Sequence, residues 1–133
     1  MECLFCKIAQ KEILSHIIAE NEKAMAILDI NPVSDGHVLL ITKKHFSNIT
    51  EINDEDWSQL LPLLKKITSK LQIALNPSGF NIISNMNEIA YQTIFHFHIH
   101  IIPKYENDKG FIWTTRSEPK SNLDWIITSL NRI

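Results

Sequence analysis

His96-Phe97-His98-Ile99-His100-Ile101-Ile102 alternates imidazoles with large apolar side chains. Alternation at period two is the signature of a β-strand. It sends His96, His98 and His100 to one face and Phe95, Phe97, Ile99 and Ile101 to the other. Same-face neighbours on a strand stand roughly 6.5–7 Å apart. Ordering three imidazoles in a row costs hydration and invites titration near neutral pH. Three readings are open at this point: a half-exposed strand that happens to carry histidines, a metal site fed by alternate side chains, and nucleophilic chemistry on a phosphate.

Working outward, residues 16–20 and 24–30 read as short strands around a polar turn at Asn21-Glu22-Lys23. Residues 31–36 form a loop, with Pro32 and Asp35-Gly36 as turn formers. Residues 37–42 read as a third strand. The period then lengthens. Asn53 is a helix N-cap candidate, and Asp54, Glu55 and Asp56 place negative charge on the first turn. Trp57, Leu60, Leu61, Leu64, Ile67, Leu71 and Leu75 follow at helical spacing. Pro62 inside this span predicts a kink or a second helical segment. Asn76-Pro77-Ser78-Gly79 stops the helix. Residues 80–84 form a fourth strand and residues 95–102 a fifth, ended by Pro103. A short helix is expected over 123–130. Strands, one long helix, then further strands predict an α+β fold with an antiparallel sheet.

At 133 residues the chain fits one domain, 1–133, without repeats or linkers. Apolar residues are 44% and charged residues 21%, the balance of a globular protein with a real core. Thirteen basic against fifteen acidic residues leave a net charge of −2. That charge lacks the positive field that binding to a nucleic acid polymer requires. A single nucleotide, held by local donors, is still allowed. No apolar run is long enough for a signal peptide or a membrane span, so the expected location is cytoplasmic and no membrane partner is expected. The two cysteines, Cys3 and Cys6, have C-x-x-C spacing, which in a reducing compartment points to a metal half-site or a redox motif. No βαβ pattern of the thioredoxin kind surrounds them. Two thiolates cannot close a tetrahedral zinc site alone.

Six landmarks occur in a fixed order: Cys3-Leu4-Phe5-Cys6-Lys7-Ile8, Leu28-Asp29-Ile30-Asn31-Pro32, Gly36-His37-Val38-Leu39, Lys43-Lys44-His45, Gln92-Thr93 and the histidine row. Together, over residues 3–105, they resemble the histidine triad (HIT) nucleotide hydrolases and transferases. The resemblance implies a five-stranded antiparallel sheet with the long helix across one face, short terminal helices and a homodimer. It implies cleavage of the α-phosphate bond of nucleoside phosphoramidates or dinucleoside polyphosphates through a nucleotidyl-histidine, with no metal in the chemical step. His98 matches the nucleophile, and His100 and His37 match phosphate-site residues. Gln92 and Thr93 match positions used against the phosphate and leaving group. A backbone carbonyl near His96 would fix the nucleophile's tautomer. Asp29 matches a ribose-binding carboxylate. Leu4, Phe5, Ile27 and Ile30 match residues flanking a purine base, and Asn85 a polar residue near the phosphate. A subset of bacterial-type relatives pairs the cysteines with two histidines, here Cys3, Cys6, His45 and His96, around a structural zinc.

Where many relatives carry glycine before the Gln-Thr pair, this chain has Tyr91. Tyrosine resists the dihedrals that glycine permits, so a reshaped phosphate loop is expected. That departure sustains an alternative, a nucleotide-binding interaction module with little turnover. A protein whose histidine row holds an ion directly is the third alternative.

Overall fold

The computed structural model describes residues 2–133. Five strands, β1 (Ile17–Glu20), β2 (Ala24–Leu28), β3 (Val38–Thr42), β4 (Gly79–Ile83) and β5 (His98–Lys104), form one antiparallel sheet in the order β1-β2-β3-β5-β4. Three helices, α1 (Leu4–Ala9), α2 (Asp54–Leu75) and α3 (Leu123–Leu130), complete the α+β fold.

The β1–β2 hairpin closes on Asn21, whose Oδ1 accepts from the Lys23 and Ala24 amides, both at 2.9 Å. Helix α2 starts where Asn53 Oδ1 accepts from the Asp56 amide at 2.8 Å, and it ends on Asn76 in the left-handed region. Its Leu60, Leu63, Ile67 and Leu71 pack on Ala24, Ala26, Val38, Leu40, Ile99 and Ile101 of the sheet. The helical stripe is shifted slightly from the predicted one: Leu63 is buried, while Leu61 and Leu75 are exposed. The opposite face of the sheet is covered by Phe5 and Ile8 of α1, packed with Cys3 on Met25, Ile27, Leu39 and Ile41. Every side chain of β3 is buried, because helices cover both faces of the sheet there. Gly36 sits at φ +85°, and a Cβ there would lie 2.6 Å from Leu75. Only glycine lets this turn dock against the end of α2.

The structure decides between the two readings of Pro62 on helix number and overturns the one for Pro103. Helix α2 runs through Pro62 as one element instead of starting a second. Pro62 lies on the exposed face, where water can satisfy the carbonyl its ring releases. Pro103 does not end β5 but lies within it, paired with Phe80. The Pro103 carbonyl accepts from Ser34 Oγ at 2.6 Å, on the side where β3 pairing has already stopped at Val38 and Ile101. A strand residue's nitrogen and carbonyl point the same way, so the missing N–H leaves no ladder bond unmade. The strand also begins at His98 rather than at residue 95, with Phe95 exposed outside it.

Candidate active site and a cysteine–histidine cluster

Strand β5 places His98 opposite Ile41 and His100 opposite Leu39, both on the α1 face. His96 precedes the strand and is fully buried. This approach is fastened by the Phe97 amide, which donates to the Phe46 carbonyl at 2.6 Å. The His96 carbonyl lies 2.7 Å from His98 Nδ1. A carbonyl only accepts, so the His98 proton sits on Nδ1 and Nε2 keeps its lone pair. The Phe5 ring meets His98 edge-on, with centroids 4.9 Å apart.

A second chain of bonds fixes the next two rings. The Val33 amide donates to His37 Nδ1 at 3.2 Å. His37 must therefore carry its proton on Nε2, which lies 3.0 Å from His100 Nδ1. His100 Nδ1 accepts, and His100 Nε2–H is left as a donor for an anion. Asp29 Oδ2 lies 3.6 Å from His37 Nε2, and Asp29 Oδ1 accepts from the Asn31 amide at 2.8 Å. Asp29, His37 and His100 bring potential ligand atoms within 4.8 Å of one another. Val33 nevertheless argues against an ion held by these three, because a protonated His37 Nε2 has no lone pair to give. Burial keeps these imidazoles neutral. It lowers His37 against the pull of Asp29, lowers His98 against the His96 carbonyl and Asp29, and brings His100 down to about 4 with help from its two neighbouring rings.

Two cavities meet at this row. One, of about 380 Å³, is lined by Leu4, Phe5, Ile27, Asp29, Ile30 and His98. The other, of about 520 Å³, lies between the ends of β4 and β5 and the chain at 111–115, with His37, Asn85 and Tyr91 in its walls. Thr93 and His100 line both. The sequence reading missed Ser15, whose buried hydroxyl has no hydrogen-bond partner and which lines the first cavity. It also missed Phe111 and Trp113 in the second. Nothing local in the sequence sets either apart from ordinary loop residues.

Gln92 is placed otherwise than expected. Its side chain is buried, its Nε2 donates to the Ser47 carbonyl at 2.7 Å, and its Oε1 accepts from the Asn87 amide at 2.8 Å. It ties down the 87–92 loop and lines neither cavity. Tyr91 does adopt the left-handed conformation, at φ 70° and ψ 27°. The turn path open to glycine is thus kept, at a strain of roughly 1 kcal/mol.

Cys3, Cys6, His45 and His96 form a separate cluster with ligand atoms all within 4.8 Å of one another. Cys3 Sγ and Cys6 Sγ lie 3.4 Å and 3.5 Å from His96 Nδ1, and Cys6 Sγ lies 3.3 Å from His45 Nδ1. Zinc bonds of about 2.3 Å to sulfur and 2.05 Å to nitrogen give a tetrahedral sulfur–nitrogen edge of roughly 3.5 Å. The donor set can hold such an ion with little rearrangement. His96 Nε2 donates to the Thr42 carbonyl at 2.6 Å, which turns the Nδ1 lone pair towards the thiols. Burial, with Cys3 adding to it, pushes the Cys6 thiol up to about 11, so thiolate there calls for a cation.

The HIT domain model matches residues 10–107. Adenosine 5′-monophosphoramidase of Schizosaccharomyces pombe is 41% identical over 110 residues, covering 83% of this chain and 80% of that protein. A crystal structure of a HIT family protein from Bacillus anthracis superposes with a TM-score of 0.90 at 36% identity, covering 98% of this chain and 96% of the other. A zinc-bound histidine triad family protein from Mycobacterium smegmatis superposes with a TM-score of 0.76 at 32% identity, covering 90% of this chain and 85% of the other. This chain belongs to the HIT domain family.

Proposed function

We propose that this protein hydrolyses nucleoside 5′-phosphoramidates through a nucleotide carried on His98. The observation that carries the reading is the 2.7 Å approach of His98 Nδ1 to the His96 carbonyl, which leaves Nε2 as a neutral nucleophile beside a cavity of nucleoside size. The phosphoramidase activity named for the fungal relative supports the same class of substrate.

In the first step His98 Nε2 attacks the α-phosphorus and the P–N bond breaks. The amine leaves with the bonding pair and one proton relayed from water, and Thr93, at the junction of both cavities, has a hydroxyl suited to that relay. His100 Nε2–H donates to a phosphoryl oxygen as charge accumulates there. Water then attacks phosphorus, its proton passes to solvent, the P–Nε2 bond breaks and the pair returns to the imidazole. Asp29 accepts from the ribose hydroxyls. Leu4, Phe5, Ile27 and Ile30 flank a purine base with apolar surface. Cys3, Cys6, His45 and His96 would hold a structural zinc, as the tetrahedral spacing and the zinc-bound mycobacterial relative support. That ion would brace the His96 ring and supply no group to the reaction.

The test incubates the protein with adenosine 5′-phosphoramidate, with and without chelator, beside His98→Ala. Expected are release of AMP that survives removal of loosely bound metal, a trapped AMP–histidine adduct, and loss of both in the variant. Binding of AMP without turnover would replace this reading by a nucleotide-binding module. Activity that needs added metal would replace it by direct metal catalysis.

A further inference from the structure

The hydrolytic chemistry leaves the thiols of Cys3 and Cys6 unused. Both sulfurs meet one imidazole nitrogen, His96 Nδ1, at 3.4 Å and 3.5 Å, and they lie within 4.8 Å of each other. Cys3 caps α1: its Sγ accepts from the Cys6 amide at 3.4 Å and its carbonyl accepts from the Lys7 amide at 3.1 Å. Helical geometry sets Cα atoms three apart at about 5 Å, inside the span of about 4.4–6.8 Å that a disulfide bridges. The pair can therefore close within one turn with little backbone movement. Cys3 is buried, while Cys6 is half-buried and the more open of the two. Phe5 stands between them in α1. Its ring meets His96 and His98 edge-on, with centroids 5.8 Å and 4.9 Å apart, and lines the cavity of nucleoside size. The turn that carries the thiols thus carries one wall of that cavity.

We infer that Cys3 and Cys6 form a peroxide-oxidisable pair, whose closure to a disulfide ejects the structural ion and loosens the Phe5 wall of the nucleoside cavity. This inference rests on the zinc reading above. A peroxide is small and uncharged enough to reach a half-buried sulfur. The Cys6 sulfur attacks a peroxide oxygen and the O–O bond breaks; Cys6 becomes a sulfenic acid, and the hydroxide released takes a proton to form water. The Cys3 sulfur then attacks the Cys6 sulfur, the S–O bond breaks, and the departing hydroxide takes a second proton. Two thiolates, two protons and one hydrogen peroxide give one disulfide and two waters. The sulfurs lose the two electrons that the peroxide gains. Two anionic ligands disappear, and the imidazoles of His45 and His96 alone fall short of the four donors that a structural zinc needs. Helix α1 then loses its tie to the segment after β3 and to the approach to β5, and Phe5 is held by apolar packing alone.

The test treats the wild-type protein, purified without chelators, with one equivalent of hydrogen peroxide. A chromogenic chelator should register about one zinc released per chain. Mass spectrometry should show the loss of two hydrogens, mapped by digestion to a bond between Cys3 and Cys6. Dithiothreitol with added zinc should reverse both changes. Oxidation of the exposed Met86 adds oxygen instead and resists the dithiol, which tells it apart. Calorimetry with AMP should find binding about fivefold weaker in the oxidised protein and restored on reduction. In Cys3→Ser the sulfenic acid has no thiol to close on, so dimedone should trap it on Cys6. Cysteines carried on to sulfinic acid without a disulfide overturn the pair. A disulfide with unchanged affinity for AMP overturns its link to the cavity. Protein purified free of zinc that still forms the disulfide and then binds AMP more weakly would reject the zinc reading and keep the pair. Zinc that stays bound while peroxide leaves both thiols reduced would do the reverse.

Discussion

Replacing His37 with alanine tests the bond chain from Val33 to His100. His37 accepts from the Val33 amide at 3.2 Å and faces His100 Nδ1 at 3.0 Å. It is a positioning residue in this scheme, because it acts on phosphate through His100. Two neutral hydrogen bonds are lost, each contributing about 1 kcal/mol. The summed loss of roughly 2 kcal/mol corresponds to about a thirtyfold fall in kcat/KM for adenosine 5′-phosphoramidate. His100 also loses the donor that dictates its tautomer, so nitrogen NMR should show its proton spread over both nitrogens. Glutamine at position 37 offers an acceptor and a donor on one planar group, so His37→Gln should recover much of the rate and restore the single tautomer. The reasoning fails if His37→Ala keeps His100 in one tautomer with an unchanged rate. It also fails if alanine and glutamine are equally impaired while both remain folded.

Elemental analysis of protein purified without chelators should find about one zinc per chain, and Cys6→Ser or His45→Ala should remove it and lower the melting temperature; metal-free wild-type protein would reject the site. Stability should fall on acidification. His100 has an ordinary value of 6.5 and a folded value of about 4, so the unfolded chain takes up a proton that the folded chain refuses. Its contribution is complete above pH 6.5 and is lost as pH falls towards 4, at about 1.4 kcal/mol per pH unit inside that window. His37 and His98 shift in the same direction and add to the effect. Urea midpoints at pH 7.5 and pH 5 measure this, and equal midpoints would contradict it. Tyr91→Gly should stabilise the fold by about 0.5 kcal/mol, relief of left-handed strain exceeding the added chain entropy; a loss above about 1 kcal/mol would show that the ring packs against something in the folded state.

The histidine row and its apolar partners were legible because alternation on a strand is enforced by backbone geometry. His98 and His100 share a face with Leu39 and Ile41, as period two demands. Half of the cysteine–histidine cluster was legible in the C-x-x-C spacing, while His45 and His96 were expected as its partners only through the family resemblance; the four residues come together through α1, the end of β3 and the approach to β5. What failed to show was set by distant contacts. Pro103 reads as a stop, yet it is harmless where β3 has already ended. Gln92 reads as a phosphate ligand, yet Ser47, from the segment after β3, claims its amide. The aromatic wall at Phe111 and Trp113 depends on Gly110 meeting Val33, a contact across 77 positions that leaves no periodic trace.

His96 divides its labour between two halves of one residue. Its ring turns to the thiols, while its carbonyl holds His98. A carbonyl is common to all twenty amino acids, whereas an imidazole is not. A substitution at 96 therefore removes the ring nitrogen that faces the two thiols and leaves in place the backbone oxygen that faces His98.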